Sequence, residues 1–255
     1  MTRVKNADEI AAMREGGKML AHVLQTVSSS TEVGMTTKDL ATIARKELDG
    51  LGAKPSFLGY QGFPDVLCVS VNDSVVHGIP REDAVLAAGD IVSIDFGVTH
   101  KGLITDAAMS YLVGNVKDRD KLELIAATEA SLTEGIATLK DGVRVGDISA
   151  AIQNNLQHYG YGYGIVRDLV GHGVGHALHE MPNIPNFGRA GTGPKLSAGM
   201  TIAIEPMVTL GTHKVAIDPD GWTVRTADGS LSAHFEHTVL ITDNGFEILT
   251  DRSKL

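Results

Sequence analysis

Residues 86–98 read LAAGDIVSIDFGV, and residues 196–208 read LSAGMTIAIEPMV. The two stretches lie over one another without a gap, and Asp95 falls on Glu205. Each alternates as a half-buried strand does, with its carboxylate on the face opposite Ile94 or Ile204. Aspartate is disfavoured in strands, and an unpaired charge buried in a core costs on the order of several kcal/mol. Any fold drawn from this repeat must therefore explain its carboxylates as well as its strands.

Working outward, residues 34–52 (GMTTKDLATIARKELDGLG) lie without gaps over residues 142–160 (GVRVGDISAAIQNNLQHYG). Both read as amphipathic helices, with Leu40, Ile43, Leu48 and Leu51 on one apolar face and Ile148, Ile152, Leu156 and Tyr159 on the other. Thr36 with Asp39 suits a capping-box start, and Gly52 and Gly160 suit C-terminal caps. VHGIP (76–80) matches LHEMP (178–182), setting His77 on His179. A looser correspondence, one residue out of register, brings Asp106 of GLITDAAM (102–109) beside Glu236 of AHFEHTVL (233–240). Further helical periodicity over 6–29 and 118–139 precedes each copy. Two helices and then strands, repeated, predict an α+β fold: an antiparallel sheet covered by helices, with an internal pseudo-two-fold. The halves, roughly 1–115 and 116–255, form a single catalytic domain in this reading.

Composition narrows the partners. The chain has 255 residues, 43% of them apolar, and a net charge of −9 with no basic block. That balance argues against nucleic acid or an anionic membrane surface. Cys68 is the one cysteine, so no internal disulfide forms, which suits a reducing cytoplasm. The first residues, MTRVKNADEIAAM, contain no apolar run of signal-peptide length.

Asp95 and Asp106 flank a hairpin whose His100-Lys101-Gly102 segment suits the turn, and both side chains fall on one sheet face. Glu205 and Glu236 are their counterparts. Four carboxylates in one core repel each other, and no lysine or arginine stands at a matched position to neutralise them. Two divalent cations would do so, as in dinuclear hydrolytic centres. Residues 171–182, GHGVGHALHEMP, add imidazoles. His172 and His176 are four apart, but Gly173 stands where a helical zinc-protease motif needs glutamate, and three glycines disfavour a helix. The segment reads as extended and close-packed, with His172 and His179 doing chemistry and His176 an ordinary histidine.

The stretches VSVNDSVVHGIP, DIVSIDFGVTHKGLITDAAM, GHGVGHALHEMPNIPNFG, GMTIAIEPMV and SAHFEHTVLIT resemble those of type I methionine aminopeptidases in their compact bacterial form. That resemblance implies the pita-bread fold and a metal set of Asp95, Asp106, His172, Glu205 and Glu236, with Asp106 and Glu236 bridging. It implies two divalent ions (Co, Mn, Fe or Zn) and, at Asn72, Ser74 and Ser232, a monovalent cation. A metal-bridging water or hydroxide would attack the first peptide bond. Glu205 would carry the proton, His179 would stabilise the oxyanion and His77 would contact the scissile amide. The substrate's methionine would meet Tyr60, Phe63, Cys68 and Trp222, with Phe57 and Leu178 at the edge. Phe57, Phe63 and Leu178 depart from the family's common cysteine, tyrosine and phenylalanine. The implied substrates are nascent polypeptide N-termini near the ribosome with a small, uncharged second residue, cleaved by a cytoplasmic monomer. Proline-directed peptidases share the fold but usually carry an extra N-terminal domain. A non-catalytic module of the same fold would have no use for the five ligands.

Overall fold

The computed structural model describes residues 1–254. Helix α1 (Ala7–Ser30) begins at Asn6, whose side chain accepts the Glu9 amide while the Glu9 carboxylate accepts the Asn6 amide. Thr36 and Asp39 make the same reciprocal box at the head of α2 (Thr37–Leu51), which ends on Gly52 in the left-handed conformation (φ 71°). Asp118 caps α3 (Arg119–Ala137) by accepting the Lys121 amide. In α4 (Val145–His158) the Asp147 carboxylate accepts the Arg144 amide at 3.0 Å. These helices fall within the four periodic segments read from the sequence, give or take a residue at each end.

Strands Ile91–His100 and Leu103–Leu112 form a long antiparallel hairpin in which Asp95 faces Ala108 and Gly97 faces Asp106. Its turn is Lys101-Gly102, with φ of 49° and 80°, the left-handed pair that matches strand twist in a two-residue connection. All strand pairings are antiparallel, but they fall into four hydrogen-bonded groups rather than one sheet. One of these divisions falls within the second copy of the repeat. Pro206 stands where the first copy has Phe96, and its missing N–H cannot continue a ladder. Strand Thr201–Ile204 stops just before it and pairs with His237–Thr242 and Gly171–Gly173, whereas Met207–Thr209 pairs with Ser232–His234.

Helices cover one face of this framework. Val92, Ile94, Phe96 and Val98 pack with Leu20, Leu24, Leu40 and Leu48 of α1 and α2. Ile202, Ile204, Val239 and Ile241 pack with Leu124, Leu132, Ile148 and Ile152 of α3 and α4. Each such side chain contributes about 1.5–3 kcal/mol when fully buried. The alternate positions, Ser93, Asp95 and Gly97, therefore look away from the helices. The two sheet systems meet on that side, where Ala108 and Glu236 exchange backbone hydrogen bonds of 3.3 and 3.0 Å. Among the described residues, no helix is long and apolar enough to cross a membrane.

Candidate metal centre and active site

The junction gathers Asp95, Asp106, His172, Glu205 and Glu236 into the wall of one cavity of about 150 Å³. Asp106 is fixed through its peptide: its N–H donates to Thr238 Oγ1 at 2.9 Å, and the Thr238 hydroxyl donates back to its carbonyl at 2.8 Å. Asp106, His172 and Glu236 each present a donor atom within 4.8 Å of the other two. Glu205, just beyond its strand at Pro206, lies 3.5 Å from His172 Nε2.

Burial dominates the electrostatics here. It pushes Asp95 up to about 7, and it raises Asp106, Glu205 and Glu236 well above the ordinary carboxylate range, with repulsion among the four adding to the last three. Among the described residues, the basic groups within ion-pair distance of these carboxylates are two imidazoles, His172 and His234, both on Glu205. Asp95 Oδ1, Asp106 Oδ1 and Glu236 Oε1 are buried without a hydrogen-bond partner. Such orphaned anionic oxygens are costly in isolation and complete once a cation sits between them. The donor set, mostly oxygen with one imidazole, fits hard or borderline divalent ions.

The imidazoles differ in what orients them. His172 Nδ1 lies 3.0 Å from the Gly173 carbonyl, so Nδ1 carries the proton and Nε2 turns its lone pair to the carboxylates. Burial lowers His172 to about 4, keeping it neutral. His179 packs edge-on against it, with ring centres 4.3 Å apart, and its Nδ1 lies 2.8 Å from the Tyr60 hydroxyl. A phenol donating there leaves the proton on Nε2. His77 takes a positive φ of 59°. Gly78 follows it because an added Cβ would lie 2.2 Å from the Val69 carbonyl oxygen. Burial also lowers His77, to about 4.

Beside the carboxylates lies an apolar wall of Phe57, Phe63, Cys68 and Leu178, with Tyr60 and Trp222 packed on it. Trp222 meets Phe63 edge-on at 5.2 Å and is held by Asp220, which accepts its amide and that of Thr223. Burial, with Asp95 close by, raises the Cys68 thiol, so it serves as wall and not as nucleophile.

Each divalent-metal, catalytic and pocket residue read from the sequence thus lines this one cavity. His176 does not; it bonds Glu9 at 2.8 Å at the N-terminus of α1. Of the residues read as a monovalent-cation site, Asn72 and Ser232 are adjacent, the Ser232 amide donating to the Asn72 carbonyl at 2.8 Å, while the Asn72 side chain bonds Asp90 and the Ile91 amide and the Ser232 hydroxyl donates to the Val208 carbonyl. Two residues were missed. Gln61 lines the cavity, and no spacing signals it. His234 lies 3.7 Å from Glu205 with both ring nitrogens unpartnered. It stands two residues before Glu236, and strand parity would have found it.

A scan against family models matches the description "Metallopeptidase family M24" over residues 11–243. The chain belongs to that metallopeptidase family. Within it, the likeness is to methionine aminopeptidases of the compact bacterial kind. The methionine aminopeptidase of Clostridium acetobutylicum is 45% identical over 250 residues, covering 98% of this chain and 99% of that protein. The crystal structure of methionine aminopeptidase from Thermotoga maritima superposes with a TM-score of 0.95 at 47% identity, covering 98% of this chain and 100% of that one. A prolidase from Pyrococcus furiosus shares the fold alone, with a TM-score of 0.77 at 21% identity, and this chain covers 65% of it.

Proposed function

We propose that this protein removes the N-terminal methionine from polypeptides whose second residue is small and uncharged, with two divalent ions at the carboxylate cluster. The observation that carries the reading is the single cavity that joins five ligand groups to a sulfur- and aromatic-lined apolar wall. Asp106 and Glu236 would bridge the two ions, Asp95 would complete one site, and His172 with Glu205 the other. When bound, such ions supply Lewis acidity toward a carbonyl and lower the pKa of a coordinated water.

The chain's own groups do the rest. The apolar wall takes the methionine side chain, whose thioether gains roughly 0.3–1.5 kcal/mol from an aromatic contact. Phe57, Phe63 and Leu178 form part of that wall. His179, its tautomer set by Tyr60, donates from Nε2 to the oxygen on which charge develops. His77 holds the scissile amide, and Glu205 carries the proton to the leaving amine. One catalytic domain, with halves 1–115 and 116–255, supplies both sides of the centre. The substrates are new chain N-termini, met in the cytoplasm.

The test strips the protein with a chelator, restores Mn²⁺ or Co²⁺, and compares Met-Ala-Ser, Met-Lys-Ser and Gly-Pro-Ala. Metal-dependent release of the first residue from Met-Ala-Ser alone is expected. Cleavage confined to Gly-Pro-Ala would transfer the chain to the proline-directed peptidases. Glu205→Gln should abolish turnover with the fold intact.

A further inference from the structure

The residues ahead of α1 lie across the segment that carries His179. Thr2 and Lys5 are buried, at 1% and 3% exposure, which is unusual for a lysine. The Thr2 amide donates to the Met181 carbonyl, and the Lys5 amide donates to the Gly199 carbonyl at 2.8 Å. The Lys5 ammonium donates to Thr2 Oγ1 at 2.6 Å and stands 3.8 Å from Glu180 Oε2. The other Glu180 oxygen accepts the amides of His176 and Ala177 at 2.7 and 2.9 Å. Two glycines make room for this contact. A Cβ on Gly173 would lie 2.7 Å from Thr2 Cβ, and one on Gly175 would lie 2.6 Å from Lys5 Cε. The Ile104 amide ties the same segment to the hairpin through the Gly175 carbonyl at 2.7 Å.

An ammonium buried to this extent is expensive unless paired, and a hydrophobic residue would fill the space at lower cost. What the pair fixes is residues 174–179, whose end presents Leu178 and His179 to the cavity. We propose that Lys5 and Glu180 are positioning residues for the reaction, a buried clamp that acts through this segment to hold His179 in place. The inference rests on the role given to His179 above.

Lys5→Met keeps the stem against Gly175 and removes the charge. It should lower kcat on Met-Ala-Ser about tenfold or more, as small displacements of catalytic groups do, with KM within about twofold. In a His179→Ala background the same substitution should cost nothing further, because the group it positions is gone. Equal losses in both backgrounds would mean a merely structural role and overturn the proposal. Amide exchange in the metal-free protein gives a readout independent of turnover. The His176 and Ala177 amides should exchange at least about tenfold faster in Lys5→Met, with α3 unchanged; unaltered exchange would also overturn it. Glu180→Gln, which keeps an acceptor for both amides and removes the charge opposite Lys5, serves if Lys5→Met does not fold, and the same loss of kcat is expected. A wild-type protein that cleaves no peptide would defeat the functional reading, and exchange alone would then decide on the clamp.

Discussion

At Asp106 a single hydroxyl does the holding. Thr238 Oγ1 both accepts the Asp106 amide and donates to its carbonyl, so Thr238→Val keeps the shape and strands two buried groups. A loss of about 1–3 kcal/mol in denaturant stability is expected, together with weaker Mn²⁺ binding by calorimetry. Unchanged binding would show that the peptide of Asp106 does not set its carboxylate. Gly97 lies directly across from Asp106, and a Cβ there would meet the Phe57 ring at 2.7 Å. Gly97→Ala should therefore push Phe57 into the cavity and raise KM for Met-Ala-Ser. An unchanged KM would mean that Phe57 does not bound the methionine site. At this scale the sequence was legible wherever a residue offended its surroundings: Asp95 in an apolar strand, glycines around His172. Lys5 and Glu180 offended nothing, since charged residues near a chain start and beside a loop look solvated, and their burial comes from a contact across the fold.

Among elements, α1 and α2 offer glycines with opposite expectations. Gly17 faces the Leu249 carbonyl, whose oxygen would lie 2.2 Å from an added Cβ, whereas Gly50 has nothing within 4 Å and is exposed. Gly17→Ala should destabilise by about 1–3 kcal/mol, because backbone must move away. Gly50→Ala should stabilise by roughly 0.5–1 kcal/mol through helix propensity and a less flexible unfolded chain. Thermal melts of both variants decide it, and shifts of the same sign would contradict the packing argument. Helices were legible nearly end to end because their caps are local, with Thr36 and Asp39 three residues apart. The division of the sheet was not. Pro206 announces that a ladder stops, but the partners taken up on either side, His237–Thr242 and Ser232–His234, are about thirty residues away and no local pattern selects them.

The whole molecule carries the consequence of a centre built from buried carboxylates and imidazoles. Asp95, Asp106, Glu205 and Glu236 hold their protons to higher pH when folded than when unfolded, Asp95 to about 7 and the others beyond the ordinary range. In the metal-free protein, unfolding releases these protons above about pH 4, so each such group makes stability fall as pH rises through its window. The imidazoles work in the opposite sense. His77 and His172 are lowered to about 4 and His234 and His237 to about 3, with burial the leading cause. The unfolded chain binds protons that the folded one refuses below about 6.5, and stability from these groups rises with pH up to that value. The two sets oppose one another below about 6.5, and of the two only the carboxylates act above it. The thermal midpoint of chelated protein should therefore hold level or rise toward pH 6.5 and then fall by pH 8. Divalent cations displace the same protons, so adding Mn²⁺ should raise the midpoint more at pH 8 than at pH 5.5. At a hundredfold excess over its dissociation constant the ion stabilises by about 2.7 kcal/mol, roughly 5–10 °C for a chain of this size. A gain equal at both pH values would mean that the ion does not compete for these carboxylates, and the cluster would have to be explained without a metal.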